Sequence, residues 1–236
     1  MKSPLLLLPL LFIAAASASA LDGWESRRLM SEFHAEGAAI GDIDGDGKND
    51  VAYGPFWFAG PEFSKQRRFA EGKAFSPNGY SDNFFSFVRD ITGDGRNDIV
   101  VFGFPGKEVR LFVNPGAEGW DKPWPMHVIA DQLCGEAPQF IDLIPGGLPE
   151  IVGARDTAYG YYAAGADPTQ PWTWHAISPV GRAEKPFGHG MGVGDVNGDG
   201  RLDVIGNAYW YEQPAQTDAP WTEPWDFWSR PPPPPI

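Results

Sequence analysis

Cysteine is nearly missing from this 236-residue chain: Cys134 stands alone, so no intrachain disulfide can form. Positive charge is scarce as well. Lys and Arg number 18 against 31 Asp and Glu, a formal charge of −13. An acidic surface repels phosphate backbones, which argues against nucleic acid as a partner. There is no phosphate loop, no nucleophile motif and little helical periodicity. Beyond residue 20 no run reaches about 18 apolar residues, so no membrane span is expected. The one long apolar run, "LLLLPLLFIAAA", follows Lys2 and precedes the small residues "ASA" at 18–20. That order reads as a secretory signal peptide over residues 1–20, cut after Ala20. No cysteine sits beside the cut to take a lipid. A mature chain of 216 of the 236 residues is therefore expected to be secreted or periplasmic, and held together by something other than disulfides. Bound metal is one candidate.

What the chain does have is 29 Gly, 24 Pro and 14% aromatic residues, a composition that favours short strands and tight turns. It also has a repeat. "DIDGDGKND" begins at Asp42, "DITGDGRND" at Asp90 and "DVNGDGRLD" at Asp195, with a decayed copy, "DLIPGGLPE", at Asp142. The spacings are 48, 52 and 53 residues. Strand-like runs flank each copy, such as "FSFVR" before and "IVVFG" after the second. Two further motifs keep the same beat: "WFAGP", "FVNPG", "YYAAG" and "WYEQP" after the acidic loops, then "WPMH", "WTWH" and "WTEP". Three registers advancing together at about 50 residues predict an all-β repeat fold over 21–228, a β-propeller of four-stranded blades.

In D-x-D-x-D-G-x-x-D the first, third, fifth and ninth side chains can converge on one hard cation. A sixth-position Gly permits the turn, and a seventh-position carbonyl can add an oxygen. Oxygen-only ligation favours Ca²⁺. The fullest set is Asp42, Asp44, Asp46, Lys48 (by its carbonyl) and Asp50. The copy at 195–203 offers Asp195, Asn197, Asp199, Arg201 and Asp203. The copy at 90–98 offers Asp90, Asp94, Arg96 and Asp98, with Thr92 where an acid is wanted, and is expected to bind more weakly. At 142–150 only Asp142 and Glu150 remain, so a metal-free turn is expected. An EF-hand is excluded, because its twelfth-position Glu is replaced by Tyr53, Val101 and Gly206. The seventh-position side chains are expected to point away from the cage. About three structural Ca²⁺ sites are the expectation. The alternative is that Asp, Asn and Gly are simply turn residues.

These loops resemble those of FG-GAP and VCBS-type repeats, secreted and mostly bacterial, in which calcium staples a hairpin within a propeller blade. The stretch "FGHGMGVGDVNGDGRLDV" followed by "WYEQP" carries the resemblance most specifically. A more distant similarity is to the propeller of aldos-2-ulose dehydratases, which implies sugar elimination chemistry as a rival function. Six residues before each acidic loop stand Glu36, Phe84, Glu136 and His189, where the chain enters each innermost strand. For catalysis His189, Glu136 and Glu36 are the candidates; for ligand binding His34, Asp82, Asn83 and Arg155. Against this stands the reading that they are ordinary polar loop residues. His127 and His175, with Trp57, Trp124, Trp172 and Trp210, are expected to pack.

About four blades are present, and the pattern ends in a Pro-rich tail, 229–236. Either the ring is small, or the chain is an incomplete part of a larger propeller; the second fits better. An open ring would be prone to self-association. The functional expectation is a calcium-stabilised binding or scaffold module for a glycan or an extracellular protein. The alternatives are a sugar lyase or dehydratase, and a fragment without a function of its own.

Overall fold

The computed structural model of the chain describes residues 25–216 and 219–221, with the backbone of 225 and 226. The expected signal segment, most of the "WTEP" copy and the 229–236 tail lie outside the described residues. Among the described residues there is no α-helix; the secondary structure is antiparallel β-sheet. The first sheet is β1 (Ala38–Gly41), β2 (Asp50–Tyr53), β3 (Phe56–Ala59) and β4 (Lys65–Arg68), paired in chain order. The last is β12 (Gly192–Gly194), β13 (Asp203–Ile205), β14 (Tyr209–Tyr211) and β15 (Trp225–Asp226), paired the same way.

Between them lies a seven-stranded sheet. In it β5 (Phe85–Arg89), β6 (Asp98–Phe102) and β7 (Lys107–Phe112) precede β8 (Met126–Ile141), and β9 (Glu150–Arg155), β10 (Ala158–Ala163) and β11 (Thr173–Ala176) follow. The first half of β8 pairs with β7 and its end pairs with β9, with a register irregularity between Cys134 and Gln139. Gly135 sits in that irregularity at φ +99°, a left-handed conformation that glycine adopts without strain. The sequence pattern implies an outer strand and a separate inner strand here, and the chain does reverse within β8. Its register runs along β7 from Phe112 to Lys107 and then returns along β9 from Ala154 to Glu150, which brings Phe140 back to within 5.1 Å of Phe87. The result is four consecutive four-stranded meanders, a propeller-like arrangement.

Each meander buries its faces against its neighbours through the two-residue period of a strand. In β6, Ile99 and Val101 join a core with Ala52, Trp57 and Phe69 of the first unit. Val100 and Phe102, on the other face, pack with Ile151 and Tyr162 of the third. Tyr159 and Tyr161 then face Val204 and Tyr211 of the fourth unit. The central strands β6 and β9 are consequently buried along nearly their whole length, whereas β2 alternates between buried and half-buried positions. Continuous apolar runs such as "IVVF" suit a strand covered on both faces. Among the described residues three apolar cores join four units, and none of them joins the fourth unit to the first.

Trp57, Trp124, Trp172 and Trp210 are all buried, worth roughly 1.5–3 kcal/mol each or more for rings of this size. His127 is half-buried, but His175 is exposed and stacks on Tyr161 at 4.9 Å. It therefore packs as a surface layer and not in the core.

The antiparallel order also sorts the loops. The four acidic loops fall at one end of the strands. The segments entering β1, β5, the second half of β8 and β12 fall at the other end, with the β2–β3, β6–β7, β9–β10 and β13–β14 turns.

Candidate functional site

The three full acidic loops fold alike because the same two carboxylates tie the backbone in each. The first-position Asp accepts three loop N–H groups. For Asp42 these come from Gly45 (2.8 Å), Asp46 (3.1 Å) and Gly47 (2.9 Å). Asp90 and Asp195 repeat the set. The sixth-position glycines Gly47, Gly95 and Gly200 have φ of +82°, +85° and +88°, so that the N–H groups turn inward. These bonds hold the Asp195 carboxyl below the ordinary carboxylate range, the Gly200 N–H first among them.

The ninth-position Asp is a buried latch. Asp50 Oδ2 accepts from Ile43 N (2.6 Å) and Asp44 N (3.2 Å), and Oδ1 accepts from Gly60 N (2.8 Å). Asp98 does the same with Ile91, Thr92 and Asn114, and Asp203 with Val196 and Gln213. In the decayed copy Glu150 takes over the role, accepting from Leu143 N (2.9 Å) and Ile144 N (3.0 Å). Burial pushes the Asp98 and Glu150 carboxyls up from their ordinary values, against the pull of these bonds.

The loops differ as metal cages. Oxygens bound to one Ca²⁺ at about 2.4 Å lie no more than about 5 Å apart. One carboxylate oxygen from each of Asp42, Asp44 and Asp50 meets that limit, all within 4.8 Å of one another. Burial and the nearby Asp50, Asp46 and Asp42 carboxylates push the Asp44 carboxyl up, a repulsion a cation relieves. The residues of this loop thus fit a hard cation.

The seventh-position side chains do not point away. Arg96 and Arg201 fold back to pair with the outer oxygens of Asp94 and Asp199. Their Nε groups donate to Asn114 O (3.1 Å) and Gln213 O (2.9 Å). Lys48, which lacks the planar fork, approaches Asp46 at 3.6 Å. Thr92 Oγ1 donates to Asp98, and Asn197 Nδ2 donates to Asp199 and Glu212. In these two loops the third- and fifth-position groups already have partners within the protein.

The candidates at the opposite end separate into distinct places. His34, Asp82 and Asn83 line one concavity with Arg110, and His34 Nδ1 lies 2.9 Å from Lys73 O. Its volume is about 20 Å³, room for about one water. Glu36 is bonded to Ser81 through backbone and hydroxyl. Arg155 pairs with Asp131 at 2.7 Å. Glu136 and His189 meet at 3.4 Å beside a cleft of about 10 Å³. None of these clefts encloses a sugar.

Two features escaped the sequence reading. Asn114 Nδ2 reaches back to Ile43 O of the preceding unit (2.8 Å), and Gln213 Nε2 reaches Leu143 O (2.8 Å). Both amides directly precede a proline in the repeated turn motif, and that shared position is the signal that would have found them. The second is a row of aromatic rings, Tyr80, Phe84, Phe104 and Phe187. Tyr80 and Phe84 come from the β4–β5 connection, Phe104 from the β6–β7 turn and Phe187 from the segment before β12, so the row as a whole follows no one repeat position.

The fold and the repeated acidic hairpins define an all-β repeat protein of propeller-like architecture. The FG-GAP repeat family model matches residues 187–217, within the fourth unit. No curated protein matches the chain. Among solved structures, an Agrocybe aegerita lectin described as recognising non-reducing terminal N-acetylglucosamine is similar at 19% identity and a TM-score of 0.49, over 78% of this chain and 50% of that one. A Photorhabdus luminescens Tc holotoxin pore is similar at 14% identity and a TM-score of 0.29, over 78% of this chain and 11% of that one. The chain spans about half the length of the lectin it matches.

Proposed function

We propose that the protein is a secreted, calcium-stabilised β-propeller module that binds or scaffolds a glycan or an extracellular protein. The observation that carries the calcium reading is the convergence of Asp42, Asp44 and Asp50 within 4.8 Å on a loop that recurs in three of the four units. Bound Ca²⁺ would be held by these carboxylates and would neutralise them. Its role is structural, because it sits in a hairpin within a sheet, at the end of the strands opposite the acid–base candidates. The loops at 90–98 and 195–203 are weaker second and third sites, since Arg96 and Arg201 compete for their fifth-position acids. Among the described residues no apolar core joins the first unit to the fourth, and that side of the first unit is where a further blade or a second copy would dock. A lyase reading has the Glu136–His189 pair in its favour, but the adjoining cleft is too small to hold a sugar.

Isothermal titration of metal-stripped protein with Ca²⁺ tests this. The tightest site should disappear in Asp42→Ala and persist in Asp142→Ala. Equal titration curves for the three proteins would contradict the assignment.

A further inference from the structure

We infer that the end of the molecule opposite the acidic loops carries a surface for a neutral glycan, built on Tyr80, Phe84, Phe104 and Phe187 and edged by Glu136 and His189. This deepens the binding-module reading and rests on it.

Phe104, in the β6–β7 turn, is the pivot. Its ring centroid lies 5.9 Å from Tyr80, 5.4 Å from Phe84 and 5.5 Å from Phe187. Tyr80 and Phe187, at the two ends of the row, are 66% and 43% exposed. Aromatic surface left in water costs about 25 cal/mol per Å², and a contiguous run of it marks an interaction site more often than scattered residues do.

The loops that carry the row are tied down. Phe84 N donates to Phe102 O (2.9 Å), Gly106 N to Leu133 O (2.7 Å) and Glu136 N to Gly188 O (2.8 Å). At Gly106, with φ of +87°, an added Cβ would come within 3.0 Å of Pro186, so the turn and the Phe187 loop are in close contact. The rings are therefore pre-positioned, which lowers the ordering cost of binding.

The chemistry selects the ligand. A pyranose presents C–H faces that stack on rings and hydroxyl groups that need partners at the edge. The Glu136 carboxylate accepts hydrogen bonds, and the neighbouring His189 imidazole, 72% exposed at its side chain, both donates and accepts. An apolar peptide segment would leave that carboxylate desolvated and unpaired. The formal charge of −13 repels polyanions, which disfavours uronate and sulfated glycans. The adjoining cleft of about 10 Å³ is too small to enclose a sugar, so the ligand lies across the row.

The test is calorimetry of the calcium-loaded protein with cellohexaose, mannohexaose and chitohexaose, with polygalacturonate as the anionic control. At least one neutral hexaose should bind. The double variant Tyr80→Ala/Phe187→Ala should weaken it at least about tenfold, while Met126→Ala, an exposed site near the acidic-loop end, should leave it unchanged. Calcium titration should be the same in all three proteins. Absence of binding by every neutral hexaose, or stronger binding of polygalacturonate, would overturn the inference. Binding that the double variant leaves intact would place the glycan elsewhere, removing this surface while sparing the binding-module reading. Loss of calcium binding in Asp42→Ala is a separate readout, so failure of the calcium reading is distinguishable from failure of this one.

Discussion

At the residue scale, the nine-residue loop divides its acids between two tasks that the sequence writes with one letter. The first-position Asp gathers loop N–H groups, and the ninth closes the hairpin from inside the protein. Glu150 isolates the second task, because Ile144 and Gly146 have removed the third- and fifth-position oxygens and leave only Asp142 beside it in the loop. Burial holds its carboxyl above the ordinary value of 4.5. The folded state therefore keeps the proton to higher pH than the unfolded chain does, and charging the group costs stability as pH rises from 4.5 through the raised value. Glu150→Gln mimics the protonated form and keeps an oxygen for Leu143 and Ile144. Its stability relative to the native protein should rise with pH across that window, as urea melts at a series of pH values would measure. A relative stability independent of pH would contradict this role for Glu150.

At the element scale, each unit pairs its four strands locally and relies on its neighbours to cover both faces. The buried amides of Asn114 and Gln213 fasten the second unit to the first and the fourth to the third. Asn114 also accepts from Gly116 N (3.0 Å) and Trp120 Nε1 (2.9 Å), so its loss leaves several buried groups unpaired. Asn114→Ala should destabilise the chain by about 2–4 kcal/mol in denaturant melts, more than Gln213→Ala; an Asn114→Ala protein of native stability would refute the clasp. The strands and hairpins were legible in advance, since their signals are local: alternating apolar residues, Gly-rich turns and a fixed beat. The backbone pairing within "CGEAP" was not, because there the chain reverses, as the break implies, and Gly135 and Glu136 donate to Pro186 O and Gly188 O of a distant loop. The fold-back of Arg96 and Arg201 was equally hidden, since side-chain direction within a turn depends on which carbonyls the next hairpin presents. The tryptophans were read correctly as packing residues, but His175 was not distinguishable from His127 by spacing.

At the scale of the whole molecule, an acidic chain without a disulfide must hold clustered carboxylates and four sheet units together. Among the described residues three inter-unit cores supply much of the cohesion, and none of them joins the first unit to the fourth. The acidic loops gather unfavourable charge at one end of the strands, and the aromatic row gathers exposed apolar surface at the other. Bound calcium would offset the first and a ligand would cover the second. The central claim is that calcium staples the acidic hairpins, and thermal unfolding with and without chelator tests it most directly. For a site of about 10⁻⁴ M affinity in about 10 mM Ca²⁺, mass action gives roughly 2.7 kcal/mol, or about 5–10 °C for a domain of this size. The account predicts that EDTA lowers the melting temperature by that amount, that excess Ca²⁺ restores it, and that Asp42→Ala loses most of the response. A melting temperature indifferent to EDTA would contradict it.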